Sequence, residues 1–325
     1  MDIRDWFDTR SFRHQDFEGI GPHTGQTTTL ILPARSVAGT IGPILTAVAE
    51  LREETGLIDQ VLVIDADSPD GTAGIARDHG AEVWSENELM PGYGPCLGKG
   101  DAMWRSLSVA RGDLVMFADA DTSDFGAHFI YGTLGPLLAL PGIRFAKAAY
   151  RRPFTQHGGS VTDGGGRVTE LMAKPLLNLY RPELAGFVQP LAGEFAAPRR
   201  LLTSLPFLTG YGVELALLID VLDEVGLPAM AQVDLGSRQN RHQPLRDLTR
   251  MSSTVLRAMA RRRGGDPPPP VPGPRQPDVL ELGQETYLHA VATESGLRLD
   301  EHLNELVERP PLDRVRAGLA GQPAA

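Results

Sequence analysis

The chain has 325 residues, an apolar share of 42% and a formal net charge of −10. That length can bury a sizeable core as one elaborated α/β domain or two smaller ones, and the acidic balance argues against nucleic acid as a partner. Cys96 stands alone, which excludes a disulfide framework or a cysteine-ligated metal. No apolar stretch is long enough to span a bilayer and the first residues lack a signal-peptide layout, so a cytoplasmic protein without membrane contact is expected.

Residues 1–25 read as a polar arm with Trp6, Phe7 and Phe12 as docking anchors. Thr27 to Pro33 predicts a first strand. Thr40 to Glu54 predicts a helix, with Ile41, Ile44, Leu45, Val48 and Leu51 at helical spacing. Gln60 to Asp65 is a second buried strand. Ser68 is the expected N-cap, and Pro69 the first-turn residue, of a helix to His79. A short strand over Ala81 to Ser85 and a helix over Gly98 to Ala110 lead to the run from Asp113 to Asp121. This alternation predicts a mostly parallel Rossmann-like α/β sheet with helical crossovers. No G-x-G-x-x-G follows the first strand, which argues against dinucleotide binding.

The second half is less regular. Ile143 to Tyr150 predicts a strand, Gly164-Gly165-Gly166-Arg167 opens a helix to Tyr180, and Gly212 to Val225 an amphipathic helix. Met230 to Leu235 predicts a strand. Pro267 to Pro277 has polyproline character and reads as a linker or surface loop. The residues beyond it are polar and expected to be partly helical. The organisation expected is an arm (1–25), a Rossmann-like half (26–125), a second half (126–262) and a proline-rich loop with a C-terminal extension (263–325).

The run Leu114-Val115-Met116-Phe117 has the pattern of a strand buried on both faces, and it ends at Asp119 and Asp121. Ligands of open α/β sheets sit outside the carboxyl ends of the strands, and residues two apart on a strand face the same side. Crowded carboxylates repel unless a cation lies between them. Such hard oxygens suit Mg²⁺ or Mn²⁺ together with a diphosphate; turn-capping aspartates are the plainer alternative. Lysine is scarce (Lys99, Lys147 and Lys174 among 31 basic residues). Lys99, flanked by glycines at a helix start, suits a phosphate, against the alternative of a solvated surface lysine.

The order of Pro33-Ala34 with Thr40-Ile41, Ile64-Asp65-x-Asp67-Ser68, Gly98-Lys99-Gly100, the D-x-D, Tyr150-Arg151-Arg152-Pro153, Gly164 to Leu171, Gln189-Pro190-Leu191-x-Gly193-Glu194, Gly210 to Glu214 and Arg238-x-Asn240-Arg241-His242 resembles the glucosyl- and mannosyl-3-phosphoglycerate synthases. The resemblance covers about residues 27 to 250, with an echo at Glu308-Arg309-Pro310-Pro311. It implies a retaining glycosyltransferase of the GT-A fold, usually dimeric, that moves a sugar from a nucleotide diphosphate to 3-phosphoglycerate with a divalent cation.

Carried over residue by residue, it implies donor binding by Pro33, Ala34, Arg35, Val37, Asp65, Ser68, Lys99, Asp119 and Ala120. It implies metal ligation by Asp119 and Asp121, and a sugar flanked by the Leu191 backbone and by Glu214. Glu194 and Glu214 also admit a structural reading, Glu194 the more so. An acceptor with carboxylate and phosphate needs cations. Arg167, at a helix start after three glycines, combines a guanidinium fork with free N–H groups, with Gly166, Val168, Thr169 and Tyr211 around it. Arg151 and Arg152 either contribute or are plain surface.

Two departures stand out. Relatives carry an acidic pair in a P-A-L-N-E-E pattern where this chain has Pro33-Ala34-Arg35-Ser36-Val37-Ala38, so a base-recognising carboxylate is missing. Relaxed donor choice is expected, with GDP-mannose favoured and GDP-glucose or UDP-glucose possible. Relatives also read H-R-x-R or H-R-H where this chain has Asn240-Arg241-His242; His242 is the candidate third metal ligand, against a surface histidine. Competing readings are a GT-A transferase acting on a lipid phosphate, a sugar nucleotidyltransferase, and a nucleotide-sugar-binding regulator. The first lacks a membrane-facing element and the second a glycine-rich loop after strand one.

Overall fold

A computed structural model describes residues 1–21, 25–156, 159–161, 165–239, 245–262, 286–293, 296–303 and 306–315. The chain starts with α1 (Ile3–Arg10) and β1 (Ser11–Arg13). Then come β2 (Thr28–Ala34), α2 (Ala38–Thr55), β3 (Gln60–Asp65), α3 (Thr72–Asp78), β4 (Glu82–Ser85), α4 (Lys99–Ser106) and β5 (Leu114–Phe117). α5 (Ala127–Ala139), β6 (Phe145–Arg151), a hairpin of β7 (Phe154–Gln156) and β8 (Gly159–Val161), α6 (Lys174–Tyr180), β9 (Phe195–Pro198), α7 (Arg199–Ser204), β10 (Phe207–Leu208), α8 (Val213–Val225), β11 (Met230–Ser237) and α9 (Leu245–Arg262) follow. β12 (Thr286–Thr293), β13 (Gly296–Leu303) and β14 (Glu308–Arg309) complete it.

Eight strands form one sheet in the order β1-β11-β6-β9-β5-β2-β3-β4, all parallel to their neighbours except β9, which runs against β5 and β6. Alternation along β2 explains the layers. Ile31 faces a core shared with α4 and α8, whereas Leu30 and Leu32 face one shared with α2 and α5. In β5 the apolar run is buried throughout, Leu114 to Phe117 being at most 3% exposed. The α/β sheet predicted from the βαβαβ pattern is therefore present, with both faces covered.

Several local expectations are corrected. The stretch read as a polar arm supplies α1 and the edge strand β1, parallel to β11; Trp6 is the docking anchor expected, fully buried and donating to Met230 O at 2.8 Å, whereas Phe7 is exposed. Ser68 caps no helix. α3 starts four residues later behind Gly71 (φ +88°), and Asp70 Oδ1 accepts the Thr72 N–H at 3.1 Å. Ser68 Oγ instead accepts the Ser36 N–H at 2.8 Å, tying the ends of β2 and β3 together.

The helix behind Gly166 (φ +70°) does run to Tyr180, but its first part, Thr169–Ala173, is a wide π turn. α8, expected to be amphipathic, is a core helix buried over most of its surface. The C-terminal residues expected to be partly helical are helical at 312–315 and also hold the β12–β13 hairpin, and β14 pairs with β10. Pro267 to Pro277 lies outside the described residues.

Candidate active site

The carboxyl ends of β2, β3 and β5 open into a cleft of about 430 Å³. It is lined by Pro33 and Ala34 at the end of β2 and Arg35 and Val37 beyond it, by Lys99 at the start of α4, and by Asp119, Ala120 and Asp121 beyond β5. Arg152, Val168, Leu191, Tyr211 and Glu214 line it from the second half. The remaining predicted residues are not in that lining. Asp65 is buried at the end of β3, where Oδ2 accepts the Ser68 N–H at 2.9 Å. Arg151 is exposed and Thr169 buried. Gly166 and Arg167 directly precede Val168, with Gly165 N–H bonded to Arg152 O at 2.9 Å. His242 lies outside the described residues.

Asp119 and Asp121 do not share a side through strand alternation, because β5 stops at Phe117 and both lie in the turn that follows. A cation brings them together. Arg238 Nη2 sits 2.9 Å from Asp119 Oδ2 and 3.0 Å from Asp121 Oδ1. Arg238 is 3% exposed, and it also donates to Tyr150 OH at 2.8 Å and Thr122 Oγ1 at 3.1 Å and pairs with the buried Glu194 at 3.2 Å. The repulsion argued from the sequence is thus answered by a side chain of this protein. Arg238 is the residue that sequence reasoning missed; it stood in a recognised motif, but nothing local says which carboxylates a guanidinium will meet.

Lys99 Nζ bridges Asp119 Oδ1 at 2.5 Å and Glu214 Oε1 at 2.7 Å. Burial works against its charge, yet these two carboxylates hold it well above the ordinary lysine range. Burial likewise pushes Asp119 up, and Lys99 and Arg238 overcome it and hold the carboxyl far below its usual value. Glu194 has no exposure, and burial raises it despite Arg238. Glu86, which the sequence reading did not single out, lines the same end of the cleft as Arg35 and is raised by burial.

The donor set fits a divalent cation. Two carboxylates of different residues already converge on one cationic nitrogen, and the half-exposed Asp121 leaves room for phosphate oxygens. Among the described residues no third histidine, cysteine or carboxylate completes a cluster with them.

A mostly parallel sheet with a carboxylate pair beyond β5 and a lysine at the start of α4 suits a nucleotide-sugar glycosyltransferase, and the comparisons show that class. The model of glycosyl transferase family 2 matches residues 29–128. Glucosyl-3-phosphoglycerate synthase of Mycobacterium tuberculosis is 44% identical over 295 residues, covering 90% of this chain and 87% of that protein. The crystal structure of mannosyl-3-phosphoglycerate synthase from Rubrobacter xylanophilus is 56% identical with a TM-score of 0.84, covering 97% and 98% of the two chains. The Mycobacterium tuberculosis enzyme in complex with Mn²⁺, UDP and glucosyl-3-phosphoglycerate is 38% identical with a TM-score of 0.75, covering 90% and 93%. The protein is a metal-dependent hexosyltransferase of the GT-A fold. It belongs to the family of glucosyl- and mannosyl-3-phosphoglycerate synthases.

Proposed function

We propose that the protein transfers a hexose, with retention, from a nucleoside diphosphate sugar to the hydroxyl of 3-phosphoglycerate. The observation that carries this reading is the Lys99 bridge between Asp119 and Glu214 inside a cleft whose other wall carries Arg152 and Val168. One side offers groups for a metal–diphosphate, the other cations for a small anion. In this reading Asp119 and Asp121 hold Mg²⁺ or Mn²⁺, which supplies charge neutralisation on the leaving diphosphate. Lys99 adds a positive charge to the same oxygens. The acceptor oxygen bonds to C1 on the face from which the diphosphate leaves, the C1–O bond to phosphate breaks, and the acceptor proton passes to the departing diphosphate oxygen. The Leu191 carbonyl and Glu214 stabilise the positive charge developing on the sugar. Arg167 and Arg152, with Gly166, Val168, Thr169, Tyr211 and Arg151 around them, take the phosphate and carboxylate of the acceptor.

GDP-mannose is the favoured donor, with GDP-glucose and UDP-glucose accepted. The backbone N–H groups of Ser36, Val37 and Ala38 are occupied by Ser68 Oγ, Thr72 Oγ1 and Asp70 Oδ2 at 2.8 to 3.0 Å, so they do not read a base. Glu86 supplies a carboxylate at that end of the cleft after all, although it stands beyond β4 rather than β2. A carboxylate accepts from the paired N–H donors of guanine, where uracil offers one. The halves at 26–125 and 126–262, a homodimer and a cytoplasmic setting complete the proposal; no described helix is long and apolar enough to cross a membrane.

Nucleotide release on mixing the protein, Mn²⁺ or Mg²⁺, 3-phosphoglycerate and equal concentrations of GDP-mannose, GDP-glucose and UDP-glucose tests the reading. Release that is independent of 3-phosphoglycerate overturns the acceptor assignment, and strict use of UDP-glucose overturns the donor assignment. Arg167→Ala is expected to raise the KM for 3-phosphoglycerate far more than that for the donor.

A further inference from the structure

Of the three lysines, Lys99 lies in the cleft and Lys174 pairs with Glu170 at the surface, at 2.7 Å. Lys147 does neither. It sits in the middle of β6, 1% exposed, between the buried Ala146 and Ala148, opposite Phe195 of β9 and Gln232 of β11. A buried ammonium is costly, and in a chain that uses arginine almost everywhere else a methionine of similar length would be the cheaper occupant of this slot.

Its Nζ lies 5.3 Å from the centre of the Phe195 ring and donates to the carbonyl of Ala192 at 2.7 Å. Ala192 closes the turn that begins at Gln189, its N–H bonded to Gln189 O at 3.0 Å. Gln189 Nε2 in turn donates to Tyr150 O at 3.1 Å. The tip of this turn is Leu191, in the cleft lining. The residue after the turn, Gly193, lies so close to Asp119 that an added Cβ would run into the Asp119 carboxylate. Lys147 thus fastens from beneath a turn that touches the cleft twice, once through Leu191 and once against Asp119.

Its electrostatic surroundings point the same way. Burial lowers Lys147 to about 8, while Glu214, Glu194 and Asp119 favour its charge and Lys99 opposes it. These groups are the ionic cluster at the cleft, three of them in its lining, and Lys147 adds positive charge to it from inside the sheet.

We propose that Lys147 is a positioning residue for sugar transfer, its ammonium holding the Ala192 carbonyl and so fixing the turn that carries Leu191 to the reacting sugar and Gly193 against Asp119. The inference rests on the role given to Leu191 above. Misplacement of a reacting group by about 1 Å costs on the order of a hundredfold in rate. Lys147→Met in the full chain is therefore expected to lower kcat by about thirtyfold or more. The donor dissociation constant, measured by titration calorimetry, and both KM values should stay within about threefold, because the groups that bind the substrates are retained.

Lys147→Gln keeps a donor without the charge and should lose less than Lys147→Met; it carries the same test if the methionine variant does not fold. A folded variant with kcat within twofold of wild type overturns the proposal, as does a loss confined to KM. Failure of both variants to fold also overturns it, since the lysine would then serve the fold rather than the turn. An inactive wild-type protein with 3-phosphoglycerate would instead overturn the proposed function.

Discussion

Replacing Arg238 with methionine removes the cation on which Asp119, Asp121 and Glu194 converge, at 2.9, 3.0 and 3.2 Å. The three carboxylates do not count equally. Asp121 is 51% exposed and water screens it, so its share is small. Asp119 retains Lys99 at 2.5 Å. Glu194 has no exposure and is left accepting from the Tyr150 hydroxyl, at 3.0 Å. Breaking a buried pair by removing one partner costs about 3–5 kcal/mol, and for a chain of this size that lowers Tm by about 5–10 °C.

The cost is capped, because Glu194 can take a proton rather than remain as an uncompensated buried charge. Its pKa, already raised by burial, rises further in the variant. The folded variant then holds a proton that the unfolded chain has lost above its ordinary value of 4.5. Stability of the variant falls with rising pH in that window, and the deficit against wild type widens once the pH passes the wild-type carboxyl's own raised value. Thermal melts of both proteins at pH 5, 6, 7 and 8 measure this. A Tm difference below about 2 °C, or one that does not grow with pH, would refute the buried-cation argument.

Asp121→Ala is expected to abolish metal-dependent transfer while Tm stays within about 2 °C, since the half-exposed carboxylate contributes little to the fold; turnover that persists with chelator present would overturn the metal assignment. Arg309→Ala removes a bidentate pair to the buried Asp101, at 2.6 and 2.9 Å, and should cost about 3 kcal/mol in urea unfolding. A loss under about 1 kcal/mol would mean that Arg105, 3.2 Å from Asp101, suffices alone. Lys147, lowered to about 8 in the folded state from 10.5, has one fewer proton there than in the unfolded chain across that interval. Wild type should therefore gain about 3 kcal/mol of stability relative to Lys147→Met between pH 8 and 10.5, and a flat difference would show that the amine is not desolvated.

Features with a local cause were open to sequence reading. Gln60 to Asp65 and Leu114 to Phe117 are buried strands because Val61 to Ile64 and Leu114 to Phe117 are apolar on both faces of the sheet, and α2 follows from the apolar spacing of Ile41 to Leu51. Lys99 at the head of α4 and the carboxylates beyond β5 were legible for a related reason. Strand ends and helix starts are marked by composition, and the sheet brings them to one edge.

What the sequence left open depends on partners far along the chain. Arg238 meets Asp121 across 117 positions, and β1 finds β11 more than two hundred residues away. A guanidinium or a strand edge carries no local mark of its partner, because hydrogen bonds and ion pairs between distant segments are chosen only when the whole sheet assembles. Ser68 shows the same limit at short range. Its hydroxyl could cap a helix or bind a neighbouring loop, and the proximity of Ser36, fixed by the pairing of β2 with β3, decided for the loop. Lys147 is the sharpest case, since the sequence marked it only as a rare residue, and the antiparallel insertion of β9 beside β6 gave its ammonium the Ala192 carbonyl.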